Sequence, residues 1–116
     1  MQKDKKIIKK EIQWHSQLGQ DKYVIEKILN GKKEGVFVEV GAHNGLDLSN
    51  TATLEKEFNW SGVCVEPSKQ SARIISNRKK SLVFNYCACP LEFDNQLVRH
   101  REYSDMLISQ TIFEDL

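Results

Sequence analysis

The run Gly35-Val36-Phe37-Val38-Glu39-Val40-Gly41-Ala42-His43-Asn44-Gly45 constrains this chain more than any other stretch. Val36, Phe37, Val38 and Val40 carry the β-branched and aromatic side chains that suit a strand. Their near-continuous apolarity is the pattern of a strand buried on both faces of a parallel sheet. The strand then meets Gly41 and Gly45. Glycine reaches backbone conformations closed to other residues and lets a ligand approach the main chain. The turn is therefore a candidate cradle for a nucleotide or cofactor.

The flanking segments read as alternating helices and strands. Ser16-Gln17-Leu18-Gly19-Gln20-Asp21 puts small and acidic residues ahead of Tyr23, Val24, Ile25, Ile28 and Leu29 at helical spacing. That predicts a helix over about residues 20–30, stopped by Asn30-Gly31, with Lys27, Lys32 and Lys33 near the negative end of its dipole. After the turn, Asp47, Ser49 or Asn50 caps a second helix through Thr51, Leu54, Glu55 and Phe58, closed by Trp60-Ser61-Gly62. Residues 63–65 read as a second strand, ended at Glu66-Pro67 because proline leaves the ladder. Ser68 caps a third helix carrying Ala72, Ile74 and Ile75 to a basic end at Arg78, Lys79 and Lys80, and residues 82–88 form a third strand.

Strand, helix, strand, helix, strand with short connections predicts a parallel sheet with right-handed crossovers. Beyond Pro90, residues 97–103 suit a strand and residues 106–116 a short amphipathic helix using Met106, Leu107, Ile112 and Phe113. Residues 1–15 are a flexible basic lead-in. The chain thus divides into a lead-in (1–15), a cofactor-binding half-domain (16–90) and an incomplete continuation (91–116).

Composition enters mainly by exclusion. With 116 residues there is room for one domain, and 17 basic against 16 acidic residues give a net charge of +1. That balance offers no dedicated nucleic-acid surface. No apolar run approaches the roughly 18 residues needed to cross a bilayer, and no signal-peptide core follows Met1, so neither a membrane nor secretion is expected and the default location is cytoplasmic. Cys64, Cys87 and Cys89 are an odd number without a Cys-x-x-Cys pair. They read as reduced core hydrophobes of an intracellular protein, not as metal ligands.

In such a sheet, ligands sit outside the carboxyl ends of the strands. Glu39, at the end of the first strand, would repel a pyrophosphate; it suits a cationic or amine-bearing ligand such as S-adenosylmethionine. Glu66 closes the second strand about 20 residues after Gly45, the spacing at which an acid meets ribose hydroxyls. Asn44 stands where a Gly-x-Gly-x-x-Gly pattern would carry its third glycine, which disfavours a nicotinamide cofactor.

Four ordered segments carry a family resemblance. They are Ser16-Gln17-Leu18-Gly19-Gln20-Asp21; Phe37-Val38-Glu39-Val40-Gly41-Ala42-His43-Asn44-Gly45; Ser49-Asn50-Thr51 with Leu54-Glu55; and Trp60-Ser61-Gly62-Val63-Cys64-Val65-Glu66-Pro67. Over residues 16–90 the chain resembles the FkbM family of S-adenosylmethionine-dependent methyltransferases. The resemblance implies a class I methyltransferase fold, a Rossmann-like α/β three-layer sandwich, that methylates hydroxyls of sugars or other small molecules. It implies that Glu39, Gly41 and Gly45 line the methionine and sulfonium end of the cofactor, that Asn44 assists, and that Glu66 binds the ribose diol. Asn85, Cys87 and Ala88 would lie near the adenine, and Gln17, Gln20 and Asp21 near the mouth of the site. His43 is the candidate general base.

The chain departs from the family in length. A complete enzyme of this type resembles a seven-stranded sheet, whereas three or four strands fit here, so the expectation is a partial, mostly parallel Rossmann-like fold: a truncated product, a fragment or a reduced domain. Two functions follow, a methyltransferase acting on a small-molecule acceptor and a non-catalytic remnant serving as a nucleoside-binding or interaction module. A three-stranded parallel sheet also leaves an open edge and an uncovered face. Coverage by a homodimer or a partner chain is therefore expected.

Overall fold

The computed structural model describes residues 10–102 and 109–112. Helix α1 (Gln20–Tyr23) continues directly into a π-helical turn, Val24–Ile28, where the Leu29 N–H donates to the Val24 carbonyl. The helix expected over about 20–30 is present as these two windings, which bury Ile25 in the core. Asn30 and Gly31 end it as expected, with φ of 49° and 75°.

There follow β1 (Val36–Val40), α2 (Ala52–Phe58), β2 (Ser61–Val65), α3 (Ser71–Asn77) and β3 (Ser81–Phe84), then a 3-10 turn at Leu91–Phe93 and strands β4 (Arg99–Glu102) and β5 (Ser109–Ile112). β1, β2 and β3 form a parallel sheet in that order. The third strand stops at Phe84 and not at residue 88, because the chain turns at Asn85 toward the Glu66–Ser68 loop. β4 pairs antiparallel with β5, Arg99 opposite Ile112. Over residues 109–112 the expected helix is therefore a strand, consistent with β-branched Thr111 and Ile112. The rest of that stretch, and residues 1–9 of the lead-in, lie outside the described residues.

Residues paired in a parallel register share a face, so the sheet divides cleanly. Phe37, Glu39, Gly62, Cys64, Ser81 and Val83 point inward; Val36, Val38, Val40, Val63, Val65, Leu82 and Phe84 point outward. Both crossovers run in the same direction across the sheet, so right-handedness puts α2 and α3 on one side of it. The core is accordingly Ile25, Phe37, Ala42, Leu54, Trp60, Cys64 and Ile74, with Trp14, Leu29, Phe58 and Val83 packed against it. The outer valines of β1 are exposed. The expectation that this strand is buried on both faces is corrected for that reason.

Two glycine–aromatic pairs lock β1 to β2. A Cβ on Gly35 would stand 2.5 Å from the Trp60 ring, and one on Gly62 would stand 2.7 Å from the Phe37 ring and closer still to the Phe37 carbonyl oxygen. Each strand contributes one glycine and receives one ring, a pairing that fills the space over a bare backbone. Trp60 also donates its indole N–H to the Lys32 carbonyl at 2.9 Å.

The cysteines differ from one another. Cys64 is fully buried, and burial pushes its thiol above the ordinary value. Cys87 is half-buried and Cys89 exposed, because the chain has already left the sheet and has no core to enter. The core reading holds for Cys64 and is corrected for Cys89.

Candidate functional site

The carboxyl ends of the three parallel strands meet in one place. At the end of β1, Gly41 (φ 75°) turns the chain, and the N–H groups of Gly41 and Ala42 both donate to the Val65 carbonyl, at 2.8 and 3.1 Å. A Cβ on Gly41 would meet nothing within 4 Å, so the main chain there faces open space. Gly45 (φ 80°) is different: its Cβ would come within 3.0 Å of Ile74 and 3.1 Å of Arg78. It lets α3 pack onto the turn. The buried Asn44 shapes the turn from within, its Oδ1 accepting the N–H groups of Leu46 and Asp47 at 3.0 and 2.9 Å while its Nδ2 donates to Asp47 at 2.8 Å. Such an Asx arrangement mimics a backbone turn.

Glu66 joins the first two strand ends. Its buried carboxylate accepts the His43 N–H at 2.7 Å and the Ser68 N–H at 2.8 Å. Asn85 brings in the third, its amide donating to the carbonyls of Glu66, Pro67 and Ser68 at 2.9, 3.1 and 3.1 Å. Gly41, Asn44, Gly45, Glu66 and Asn85 therefore share one end of the sheet. A carboxylate has about four acceptor positions, and these contacts use two of those on Glu66. His43 sits inside the turn at φ 52°, with its Nδ1 buried and unpaired.

Glu39 is occupied differently from the sequence expectation. Its Oε1 accepts the Asn50 N–H at 2.9 Å, and its Oε2 accepts the hydroxyls of Ser49 (2.9 Å) and Thr51 (2.5 Å) and stands 3.7 Å from the Arg78 guanidinium. Ser49 Oγ in turn accepts the N–H groups of Thr51 and Ala52, two of the orphan donors at the start of α2. Ser49 caps this helix, as expected, from just outside it. The Glu39 carboxylate is thus half of an ion pair that holds the turn to α2, and its field at the turn is offset by Arg78.

Arg78 is the residue that sequence reasoning passed over as a basic helix end. Its side chain has no exposed surface. The guanidinium donates to the Gly45 carbonyl at 3.0 Å and Thr51 Oγ1 at 2.9 Å, its Nε lies 3.2 Å from the Glu55 carboxylate, and it stacks 5.1 Å from the centre of the Phe37 ring. Glu55 also accepts the Ser81 hydroxyl at 2.5 Å and the Lys79 N–H at 3.0 Å. Burial alone would raise the Glu55 carboxyl; Ser81 and the Arg78 charge hold it below its ordinary value. One signal was available: Ser71, Ile74 and Arg78 fall at helical spacing on one face, so the arginine continues the buried stripe while Lys79 and Lys80 flank it.

The N-terminal motif anchors from the other side. Asp21 is buried; burial would raise its carboxyl, but the His15 N–H, the Ser16 hydroxyl and neighbouring N–H groups hold it below the ordinary value. Ser16 Oγ reciprocally accepts the Asp21 N–H at 2.9 Å, and Ser16 bridges to Leu48 beyond the turn. Gln20 accepts the Leu18 N–H and Gln17 is exposed, so the motif closes on itself. His15 hydrogen-bonds Thr53 at 2.9 Å, and burial, then the Lys56 charge, lower its pKa.

These shifts fix a pH dependence. All three groups have folded values below their unfolded ones, so each contributes stability above its ordinary value and loses it as pH falls through the folded value. Tm measured against pH is expected to decline first below about 6.5, from His15, and more steeply below the ordinary carboxyl values of 3.8 and 4.5, from Asp21 and Glu55. His15→Gln removes the first decline and leaves the second; a wild-type profile flat from pH 7 to 5 would contradict the assignment.

A cleft of about 230 Å³ is bordered by Gln13, His15, Leu46, Asp47, Lys56 and Glu57, and another of about 310 Å³ by Glu55, Lys56, Asn77, Lys79 and Lys80. Neither reaches Gly41, Glu66 or Asn85. Among the described residues no cluster of three His, Cys, Asp or Glu side chains is placed to hold a metal, and no helix is long and apolar enough to cross a membrane. Comparison with family models, curated proteins and solved structures gives no match for this chain.

Proposed function

We propose that this chain is the cofactor-binding half of an FkbM-like, S-adenosylmethionine-dependent methyltransferase whose acceptor is the hydroxyl of a sugar or another small molecule. The observation that carries this reading is the hydrogen bond between the His43 N–H and Glu66. It unites the glycine turn of β1 with the acid of β2, the two features that a nucleoside site of this class requires at one end of a parallel sheet. The free acceptor positions on Glu66 suit a ribose diol, and the open main chain at Gly41 suits the methionine moiety. Asn85 fixes the loop that would border the adenine. Glu39 acts indirectly, by holding the turn through Ser49, Asn50 and Thr51.

The cofactor would supply an electrophilic methyl group on its sulfonium. The protein's task is then to align the acceptor oxygen behind that methyl and exclude water. His43 Nδ1, buried without a partner, is the candidate to receive the acceptor's proton. The location proposed with this reading is the cytoplasm.

A second reading, nucleoside binding without catalysis, draws support from the number of acids already spent on structure. Glu39, Asp47 and Glu66 all hold backbone or turn groups, which leaves His43 as the sole base candidate named by the sequence.

Calorimetric titration with S-adenosylmethionine and S-adenosylhomocysteine tests the shared part of both readings. Binding of both is expected, with Glu66→Gln weakening it by about 10- to 100-fold, the worth of hydrogen bonds to a charged group. Absence of binding at millimolar ligand to a folded protein rejects both. Transfer of a labelled methyl group to a panel of sugar alcohols separates them.

A further inference from the structure

The outer face of the parallel sheet carries Val36, Val38 and Val40 on β1, Ser61, Val63 and Val65 on β2, and Leu82 and Phe84 on β3. No position on it is charged. Val36, Val38, Val40, Leu82 and Phe84 are 77, 68, 61, 66 and 43 % exposed. We propose that this face is a homodimer interface, on which a second copy of the chain stacks its own outer face about an axis parallel to the strands.

Three features favour a second copy over another occupant. The first is chemical: an interface repeated by a two-fold axis must be complementary to itself, and an uncharged apolar face meets no like charge when it faces its own image. The second is area. The exposed side chains present roughly 500 Å² per copy, so two copies bury about 1,000 Å² in total, the size at which specific association begins.

The third is shape. Small valines lie on β1 and the larger Leu82 and Phe84 lie on β3, so a face that rests on itself with β1 over β1 would be thick on one side and thin on the other. A two-fold axis along β2 sets β1 of one copy over β3 of the other. Val38 then faces Leu82 and Val40 faces Phe84, because the register already aligns Val38, Val63 and Leu82 in one row and Val40, Val65 and Phe84 in the next. Large residues fall on small ones across the gap of about 10 Å that separates stacked sheets. Val63 of each copy meets its own counterpart on the axis.

This geometry rests on the sheet and is independent of any cofactor. Sedimentation equilibrium of the full chain is expected to show a concentration-dependent dimer. Val38→Asp and Leu82→Lys each sit at positions exposed in the single chain, so both variants are expected to fold, as cooperative melting would show, and to weaken dimerisation at least 100-fold, since each buries unpaired charges in an apolar interface. Mixing the two variants is expected to restore a dimer containing one of each, because the aspartate of one faces the lysine of the other.

A monomer at every accessible concentration overturns the proposal. So does a wild-type dimer that tolerates Val38→Asp and Leu82→Lys. A monomer that these variants destabilise would assign the face to another part of the same polypeptide, which is also incompatible with the proposal.

Discussion

Replacing Arg78 with methionine is expected to destabilise the parallel-sheet unit by about 3–5 kcal/mol, as much as the costliest core truncations. The guanidinium is fully buried between Glu39 and Glu55 and carries hydrogen bonds to the Gly45 carbonyl and Thr51. Removing one partner of a buried ionic cluster leaves the others charged and unsolvated, at a cost of about 3–5 kcal/mol. That is a large part of the 5–15 kcal/mol on which an ordinary domain subsists. Arg78→Lys is expected to rescue little, because an ammonium cannot span two carboxylates, a carbonyl and a hydroxyl in the fixed planar fork of arginine. The triple variant Arg78→Met, Glu39→Gln, Glu55→Gln removes the stranded charges and is expected to recover more than half of the loss. Urea denaturation followed by circular dichroism measures all three. A loss of less than about 1 kcal/mol for Arg78→Met would show that the cluster is not what holds the turn, α2 and α3 together.

Gly62→Ala is expected to cost about 3 kcal/mol, at the upper end for a single added methyl, because the new atom has no flexible neighbour to displace. It would meet the Phe37 ring and, closer still, the Phe37 backbone oxygen, so β1 and β2 must separate locally. The control is Gly41→Ala, the same chemical change at a residue whose Cβ would meet nothing within 4 Å. There the penalty is only the strain of a left-handed backbone at φ 75°, about 1–2 kcal/mol. Phe37→Leu added to Gly62→Ala is expected to return part of the loss, since it frees the ring's share of the clash and leaves the carbonyl's. If the two glycine variants prove equally mild, the packing account of the Trp60-Ser61-Gly62 segment fails.

The two glycines of the turn show how far sequence reading carries. Both were expected as turn residues, and both adopt positive φ. Their spacing could not say that Gly41 opens onto solvent while Gly45 is a seat for Ile74 and Arg78, because Gly45 meets α3 only after the chain has passed through β2. Glu39 makes the same point for charge. Its place at the end of an apolar strand was legible, and so was a Ser49-Asn50-Thr51 segment nearby; their union was not, since the carboxylate points inward and is answered by an arginine at the far end of α3. Glu66 was found for its spacing to Gly45, and the fold brings it to the turn through the His43 N–H. The failure at residues 109–112 has a different origin, where a local helical preference yielded to pairing with β4.

By itself the sequence determined the order of elements from the first helix to the third strand and most of their ends, because those depend on neighbours within a few residues: β-branched runs extend, helical spacing winds, and Asn30-Gly31, Gly41 and Pro67 interrupt. Only the tertiary structure decided what each element faces. Two right-handed crossovers put both helices on one side of the sheet, and that single fact buries Phe37, Glu39 and Cys64 and leaves Val36, Val38 and Val40 bare. Alternation along a strand distinguishes two faces, but which of them is covered depends on the path the chain takes between strands.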